Sequence, residues 1–159
     1  MILRDLEEED APLMLEWMHD ESVVKDLKTD FASKTLEDCK NFIKNSRNDE
    51  VNRHYAIDVD GEYMGTVSLK NIEKDKAEFA ITIRKSAMGK GISTIAMKEI
   101  IRIGFEEMNL RKIYWYVDPE NKRAVKFYDK NGYQTAPEKI DPEKSGGVNK
   151  YIWYQVETC

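Results

Sequence analysis

Residues 83–94 have the sequence IRKSAMGKGIST, which joins a β-forming segment to an amphipathic helix pattern. Gly89 and Gly91 stand two positions apart in it, so backbone N–H groups can converge where side chains would obstruct them. The positive end of the helix dipole lies at the same point. The stretch therefore predicts an anion site at the start of a helix, of the kind that holds a pyrophosphate.

The positive charges of this loop and the spacing of its glycines limit the kinds of anion site that it can form. Arg84, Lys85 and Lys90 add positive charge in a chain whose net charge is −5. A Walker A loop needs Gly-Lys-Ser/Thr after a longer spacing, which is absent here. A dinucleotide fingerprint needs a third glycine where Thr94 stands, inside an early βαβ unit. A glycine-containing turn without any ligand remains the alternative.

Upstream of the loop, the sequence predicts an antiparallel meander preceded by a short strand and two helices. The strands are predicted at residues 2–5, 54–59, 63–69 and 77–83. Asp60-Gly61 separates two of them and is a strong hairpin signal. The helices are expected to begin near Asp10 and Thr35, because both residue types cap helix N-termini.

Downstream of the loop, helices and strands alternate. The predicted elements are a helix over Ile95–Asn109, a strand at 112–117, a helix from Asn121 to Lys130 and a strand at 150–156. Residues 134–149 contain two prolines and a Gly-Gly pair, which predicts a loop. The order β-α-α-β-β-β-α-β-α-β predicts one α/β domain over residues 1–159, with a mixed sheet and helices on both faces.

A second motif lies about 30 residues beyond the glycine loop. Residues 118–133, DPENKRAVKFYDKNGY, contain the pattern Asn-x-x-Ala-x-x-x-Tyr-x-x-x-Gly-Tyr. With residues 77–79 and 89–91, this pattern resembles the GNAT acetyltransferase superfamily. The resemblance is greatest to the branch of spermidine and ribosomal-protein N-terminal acetyltransferases. It implies a GNAT fold, with a mostly antiparallel sheet of six to seven strands.

The resemblance also implies acetyl-CoA as the cosubstrate, with no metal. The residues implied to bind it are Ile81, Thr82, Ile83, Met88, Gly89, Lys90, Gly91, Ile92, Ser93, Thr94, Asn121, Arg123 and Lys126. In the family, the strand before the loop separates from its neighbour and pairs with the pantetheine arm, a role that maps to about Ile81–Ile83. Met88 and Ser93 differ from the residues common in the family, but backbone amides need neither side chain to hold a phosphate.

Catalytic roles follow from the same resemblance. Tyr128 is implied as the general acid that protonates the departing thiolate, and Asn121 as a residue that orients the cofactor or a water. The base that takes a proton from the amine stays open. The three alternatives are Glu78, Asp118 and a chain of water molecules.

The acceptor pocket of the family is built by the first two helices, their connection and the late loop. Those parts correspond to residues 17–31 and 134–149, where Trp17 and His19 are candidate lining residues. Five carboxylates in this region are candidates for attracting a cationic amine. They belong to Glu16, Asp20, Glu21, Asp26 and Asp30.

These observations favour an N-acetyltransferase that acts on the primary amine of a small molecule, either a polyamine or an amino sugar. The alternatives are a protein N-terminal acetyltransferase and a non-catalytic acyl-CoA-binding module. The net charge of −5 argues against a nucleic-acid partner, and no apolar run approaches the length of a membrane span. The two cysteines fit no disulfide framework, so we expect a cytoplasmic protein. We also expect a monomer or homodimer.

Overall fold

The computed structural model describes residues 1–27, 29–136 and 151–158. The strands are β1 (Ile2–Asp5), β2 (Arg53–Val59), β3 (Glu62–Glu73), β4 (Lys76–Ile83), β5 (Lys112–Val117), β6 (Gln134–Thr135) and β7 (Ile152–Glu157). The helices are α1 (Ala11–Met18), α2 (Glu21–Val24), α3 (Leu36–Ser46), α4 (Ile92–Arg102) and α5 (Lys122–Lys130). Among the described residues, no helix is both long enough and apolar enough to span a bilayer.

The strands form one sheet in the order β1-β2-β3-β4-β5-β7-β6. Neighbouring strands are antiparallel throughout, except that β4 and β5 are parallel. A parallel pair needs a crossover connection, and α4 lies in that connection. The predicted mixed, mostly antiparallel sheet is therefore confirmed.

Each face of the sheet packs against its own helices. Because side chains alternate along a strand, neighbours such as Ala56 and Ile57 belong to different cores. Ile57 packs in the core with the buried face of α4, including Met97, whereas Ala56 packs with α1 and α3. The prediction of helices on both faces is confirmed.

Local signals placed most element ends correctly. Thr35 forms a capping box with Asp38, in which each side chain bonds the other residue's backbone N–H. Asp60 and Gly61 both adopt positive φ in the predicted hairpin turn. Asn121 caps α5, where its side-chain oxygen accepts from the Ala124 N–H at 3.2 Å.

Other boundaries differ from the prediction. β3 continues to Glu73, past residue 69. The α-helical part of α4 begins at Ile92 and ends at Arg102, after which one π turn runs to Glu107. Gln134–Thr135 forms β6 inside the predicted loop, whose residues 137–149 lie outside the described residues.

The helix α2 was not predicted from the sequence, since four residues carry too little periodicity to be recognised. Asp20 caps it, and the Asp20 carboxylate accepts bonds from the Ser22 N–H and hydroxyl.

Candidate active site

The parallel strands β4 and β5 separate part-way along their length. Their pairing consists of Lys76 with Lys112, Ala77 with Ile113 and Glu78 with Tyr114, which are all the pairs among these fully described strands. Beyond that point β4 stays paired with β3 as far as Ile83. The β5-facing edge of β4 is thus left open from Phe79 onward, and the predicted pantetheine segment, Ile81–Ile83, lies on it.

The glycine loop follows the end of β4 and leads into α4. Gly89 and Gly91 adopt φ of +77° and +76°, a region that L side chains rarely occupy. A Cβ at either position would meet no atom of the described protein within 4 Å, so open space lies beside both. Gly91 is the N-cap of α4, whose first N–H groups have no acceptor within the helix. The loop therefore presents donors and space for an anion.

The cations around the loop differ in how free they are to bind an anion. Arg84 is held by Glu16 and Glu62, each at 2.9 Å, so its charge is already paired. These hydrogen-bonded ion pairs raise the pKa of Arg84. Lys85 and Lys90 are the other two cations of the stretch.

The two predicted cofactor cations on α5 point in different directions. Arg123 lies beside the loop, where its Nη1 is 3.3 Å from the Met88 sulfur and its Nη2 donates to the Ser22 carbonyl at 3.3 Å. Lys126 lines a separate shallow cavity with Lys122 and Lys130. It lies two residues after Ala124, about 200° around the helix from the face that lines the main cleft. Its assignment to the cofactor stays a prediction.

A cleft of about 640 Å³ extends from the gap between β4 and β5 across the face of the sheet that α1 and α3 cover. Ile81, Thr82, Val117 and Asp118 line it at the gap. Trp17, Phe31 and Phe42 line it from the helical side. The cleft therefore connects the open strand edge with a pocket under the first helices.

Tyr128 lines the cleft from α5 and is only 8% exposed. Its ring centroid is 5.3 Å from that of Trp115 and 5.0 Å from that of Tyr154, within an aromatic core. Burial raises the pKa of Tyr128 well above its ordinary value. The phenol thus keeps its proton at neutral pH, as a proton donor must.

Two carboxylates that were predicted as alternative bases both reach the cleft. Glu78 is buried, accepts a hydrogen bond from Asn71 Nδ2 at 3.1 Å, and has Lys70 Nζ 3.8 Å from its other oxygen. Asp118 follows β5, where one of its oxygens accepts from the Glu120 N–H at 2.9 Å. Asn121, next to Asp118 in the cleft lining, combines this position with its capping role.

The acceptor side is lined by aromatic residues, and most of its carboxylates are not the five that the sequence suggested. Trp17 lines the cleft and donates from Nε1 to the Tyr63 hydroxyl at 2.9 Å, whereas His19 lies outside the described lining and contacts the Lys34 carbonyl. Of the five carboxylates proposed to attract an amine, Asp26 is the one that lines the cleft within the described chain. Glu16 is paired with Arg84.

Sequence reasoning missed a polar pair in the cleft floor. His54 on β2 and Ser68 on β3 are register partners, and His54 Nδ1 lies 2.6 Å from Ser68 Oγ. The Phe42 ring is 4.7 Å from the His54 ring, centroid to centroid. Strand alternation in the sequence places both residues on one face, but no local signal shows that α3 leaves a cavity above them.

Comparison with known proteins agrees with this geometry. The model of the "Acetyltransferase (GNAT) domain" family matches residues 1–134. The chain belongs to the GNAT acetyltransferase family. Among GNAT relatives, spermidine N(1)-acetyltransferase of Escherichia coli is 38% identical over 92 residues, which cover 57% of this chain and 50% of that protein. The chain thus matches about half the length of that relative.

Other GNAT proteins match over nearly the whole chain at lower identity. Acetyltransferase PseH of Campylobacter jejuni is 24% identical over 137 residues, covering 86% of this chain and 85% of that protein. The crystal structure of spermidine N-acetyltransferase from Vibrio cholerae in complex with CoA and spermine superposes with a TM-score of 0.80. It is 21% identical and covers 98% of this chain and 94% of that one, so this likeness shows the GNAT fold.

Proposed function

We propose that the protein is an acetyl-CoA-dependent N-acetyltransferase that acetylates a primary amine of a small molecule, a polyamine or an amino sugar. The observation that carries the proposal is the separation of β4 and β5 after Glu78 and Tyr114, beside the glycine loop and Tyr128. An unpaired strand edge and a protonated phenol thus line one cleft, and the proposed anion site follows β4 in the chain.

The residues present fit acetyl-CoA, which supplies the acetyl thioester. The open edge of β4 offers backbone groups to an extended amide-containing chain, as an added strand would. The left-handed glycines and the N-terminus of α4 suit a pyrophosphate. Arg123 beside Met88 adds positive charge at the same end.

The chemistry requires alignment and two proton movements. The amine nitrogen forms a bond to the thioester carbon, the C–S bond breaks, and the sulfur leaves as a thiolate. Tyr128 donates its phenolic proton to that sulfur, and the amine proton leaves through Glu78, Asp118 or water. Holding both substrates in one cleft lowers the barrier by several kcal/mol, through positioning alone.

We also propose a cellular location, an oligomeric state and a range of partners for the protein. We place the protein in the cytoplasm as a monomer or homodimer, with no nucleic-acid or membrane partner, in keeping with its net charge of −5. The spermidine acetyltransferases among its relatives, named for a small amine, support this acceptor class.

A direct assay tests the proposal. Purified protein is mixed with acetyl-CoA and a panel of polyamines, amino sugars, amino alcohols and peptide N-termini, and free thiol is measured over time. We expect thiol release that depends on one class of small primary amine and exceeds the rate without amine. Release with peptides alone would favour an N-terminal acetyltransferase, and binding of acetyl-CoA without release would favour a non-catalytic module.

A further inference from the structure

The floor of the cleft is polar, although its roof is aromatic. On β2 and β3 the floor is formed by His54, Thr66 and Ser68, and Phe42 on α3 packs over the His54 ring. Ser68 is 4% exposed, so its hydroxyl is a buried polar group inside a ligand-sized cavity. Polar groups at such positions fix the orientation of a bound ligand.

The register of the sheet gives the distance from this floor to the reacting end. Ser68 pairs with Ala80 on β4 and with His54 on β2. His54 therefore lies two strands away from the edge of β4 that faces the gap, about 10 Å across the sheet. That span is too long for direct proton transfer from the reacting amine, and it matches the length of a small acceptor molecule.

The pair is suited to a hydroxyl, which can both donate and accept hydrogen bonds. His54 and Ser68 contact each other through one nitrogen and one oxygen, which leaves the second ring nitrogen and further hydroxyl capacity for a ligand. Burial lowers the pKa of His54, Lys70 lowers it further and Asp49 opposes them, so the ring is neutral at neutral pH. From α3, Asp38 faces the same cleft, where it accepts from the Thr35 N–H and has Lys34 nearby. Asp26, Glu78 and Asp118 also line the cleft, and Lys70 lies 3.8 Å from Glu78.

We propose that His54 and Ser68 form the far end of the acceptor site and bind a neutral hydrogen-bonding group, such as a hydroxyl, of the amine. This inference rests on the proposed acetyltransferase function and selects within it. The acceptor is a hydroxyl-bearing primary amine, an amino sugar or amino alcohol, instead of a polyamine with a second ammonium. Phe42 and Trp17 supply apolar contact for its carbon skeleton.

Three amines of equal length test the proposal. Aminohexanol, hexylamine and diaminohexane each carry an amine on a six-carbon chain that spans about two strand spacings, and end in a hydroxyl, a methyl group or an ammonium. We expect kcat/KM for aminohexanol to exceed that for the other two by at least about tenfold, because a site built around a hydroxyl rejects analogues that lack it.

Two variants test whether His54 and Ser68 cause the preference for aminohexanol. Ser68→Ala and His54→Phe are expected to reduce the aminohexanol-to-hexylamine ratio of kcat/KM to about one, with KM for acetyl-CoA unchanged. The ratio of two acceptors is independent of the folded fraction, so partial unfolding does not affect it. Ser46→Ala is the matched control, because the Ser46 hydroxyl bonds the Ile43 carbonyl at the end of α3, outside the described lining of the cleft.

The outcomes separate the two proposals. Equal activity on the three amines, preference for diaminohexane, or a ratio unaffected by both variants overturns the assignment of His54 and Ser68 while leaving the acetyltransferase intact. Absence of thiol release with every amine, including spermidine and glucosamine, overturns the proposed function, and this inference fails with it.

Discussion

Glu78 and Tyr114 form the last backbone pair between β4 and β5. Glu78 thus ends the pairing of β4 with β5, and it is also a buried carboxylate in the cleft. Tyr114 is buried on the neighbouring strand, where its ring packs on Trp153 with centroids 6.2 Å apart. One of the three candidate bases therefore lies at the point where the sheet divides.

Replacing Tyr128 by Phe removes the proposed acid with little change in shape. We expect turnover to fall by about 10- to 10⁴-fold, the usual range for the loss of a proton-transfer group. The affinity for acetyl-CoA, measured by calorimetry, should change little. Full activity across the pH range would contradict the role, and a large fall in the free energy of unfolding would show that the hydroxyl serves the aromatic core.

Gly91→Asp tests the anion site. The variant places a side chain and a negative charge where the left-handed backbone of Gly91 begins α4, and we expect acetyl-CoA to bind at least about tenfold more weakly, which is about 1.4 kcal/mol. Gly61→Asp is a matched control, since Gly61 also has positive φ and open space but lies in the β2–β3 turn. Equal affinities for the two variants would exclude the loop as the phosphate site.

Gly65 lies so close to the end of β4 that a side chain at this position would clash with the β4 backbone. A Cβ at Gly65 would lie 2.5 Å from the Thr82 carbonyl oxygen and 2.8 Å from Ile83 Cα, so the backbone must shift. We expect Gly65→Ala to lower the free energy of unfolding by about 1 to 3 kcal/mol and to weaken acetyl-CoA binding, because the shifted residues carry the open edge.

The control for Gly65 is Gly104→Ala. Its Cβ would mainly meet side-chain tips, the nearest being Ile113 Cδ1 at 2.8 Å, and these can move more easily than backbone. Urea unfolding of both variants measures the difference. A Gly65→Ala protein as stable as Gly104→Ala would contradict the backbone clash.

Because the Tyr63 hydroxyl is buried, we expect the free energy of unfolding to fall at alkaline pH. Burial raises the pKa of Tyr63 to about 12, above an ordinary value of about 10. Because the folded protein holds this proton more tightly, the contribution to stability is complete below about pH 10 and is lost as pH rises through about 12. Two pKa units correspond to at most about 2.7 kcal/mol.

Urea unfolding of Tyr63→Phe across this pH range measures the effect. The variant leaves Trp17 Nε1 without its present acceptor, so it should start about 1 to 3 kcal/mol less stable at neutral pH. Its difference from wild type should narrow above pH 10. A constant difference up to pH 12 would show that Tyr63 does not titrate abnormally.

Much of the fold was predictable because its signals are local. The Asp60-Gly61 turn, the Thr35 capping box and the glycines before α4 each act within a few residues, and all three are present. The mixed, mostly antiparallel sheet and the two-sided helical cover followed from the pattern of elements and from the family resemblance, whereas the order of the strands within the sheet came from the structure.

The contents of the cleft were less predictable because they depend on distant contacts. Arg84 appeared free for a phosphate, yet it pairs with Glu16, 68 positions away in the sequence. The same contact removes Glu16 from the group of carboxylates expected to attract an amine. His54 and Ser68 were missed because only the packed sheet and α3 enclose them together.

The short pairing between β4 and β5 also divides the sheet into two parts, β1–β4 and β5–β7. The buried face of α4 packs in the same core as side chains from both parts, with Leu69 and Phe79 from one and Ile113 from the other. The two parts are therefore joined by this shared core as well as by the three backbone pairs. We expect substitutions that change the volume of Met97 or Ile100 to alter the spacing between β4 and β5, although neither residue is among the described lining residues of the cleft.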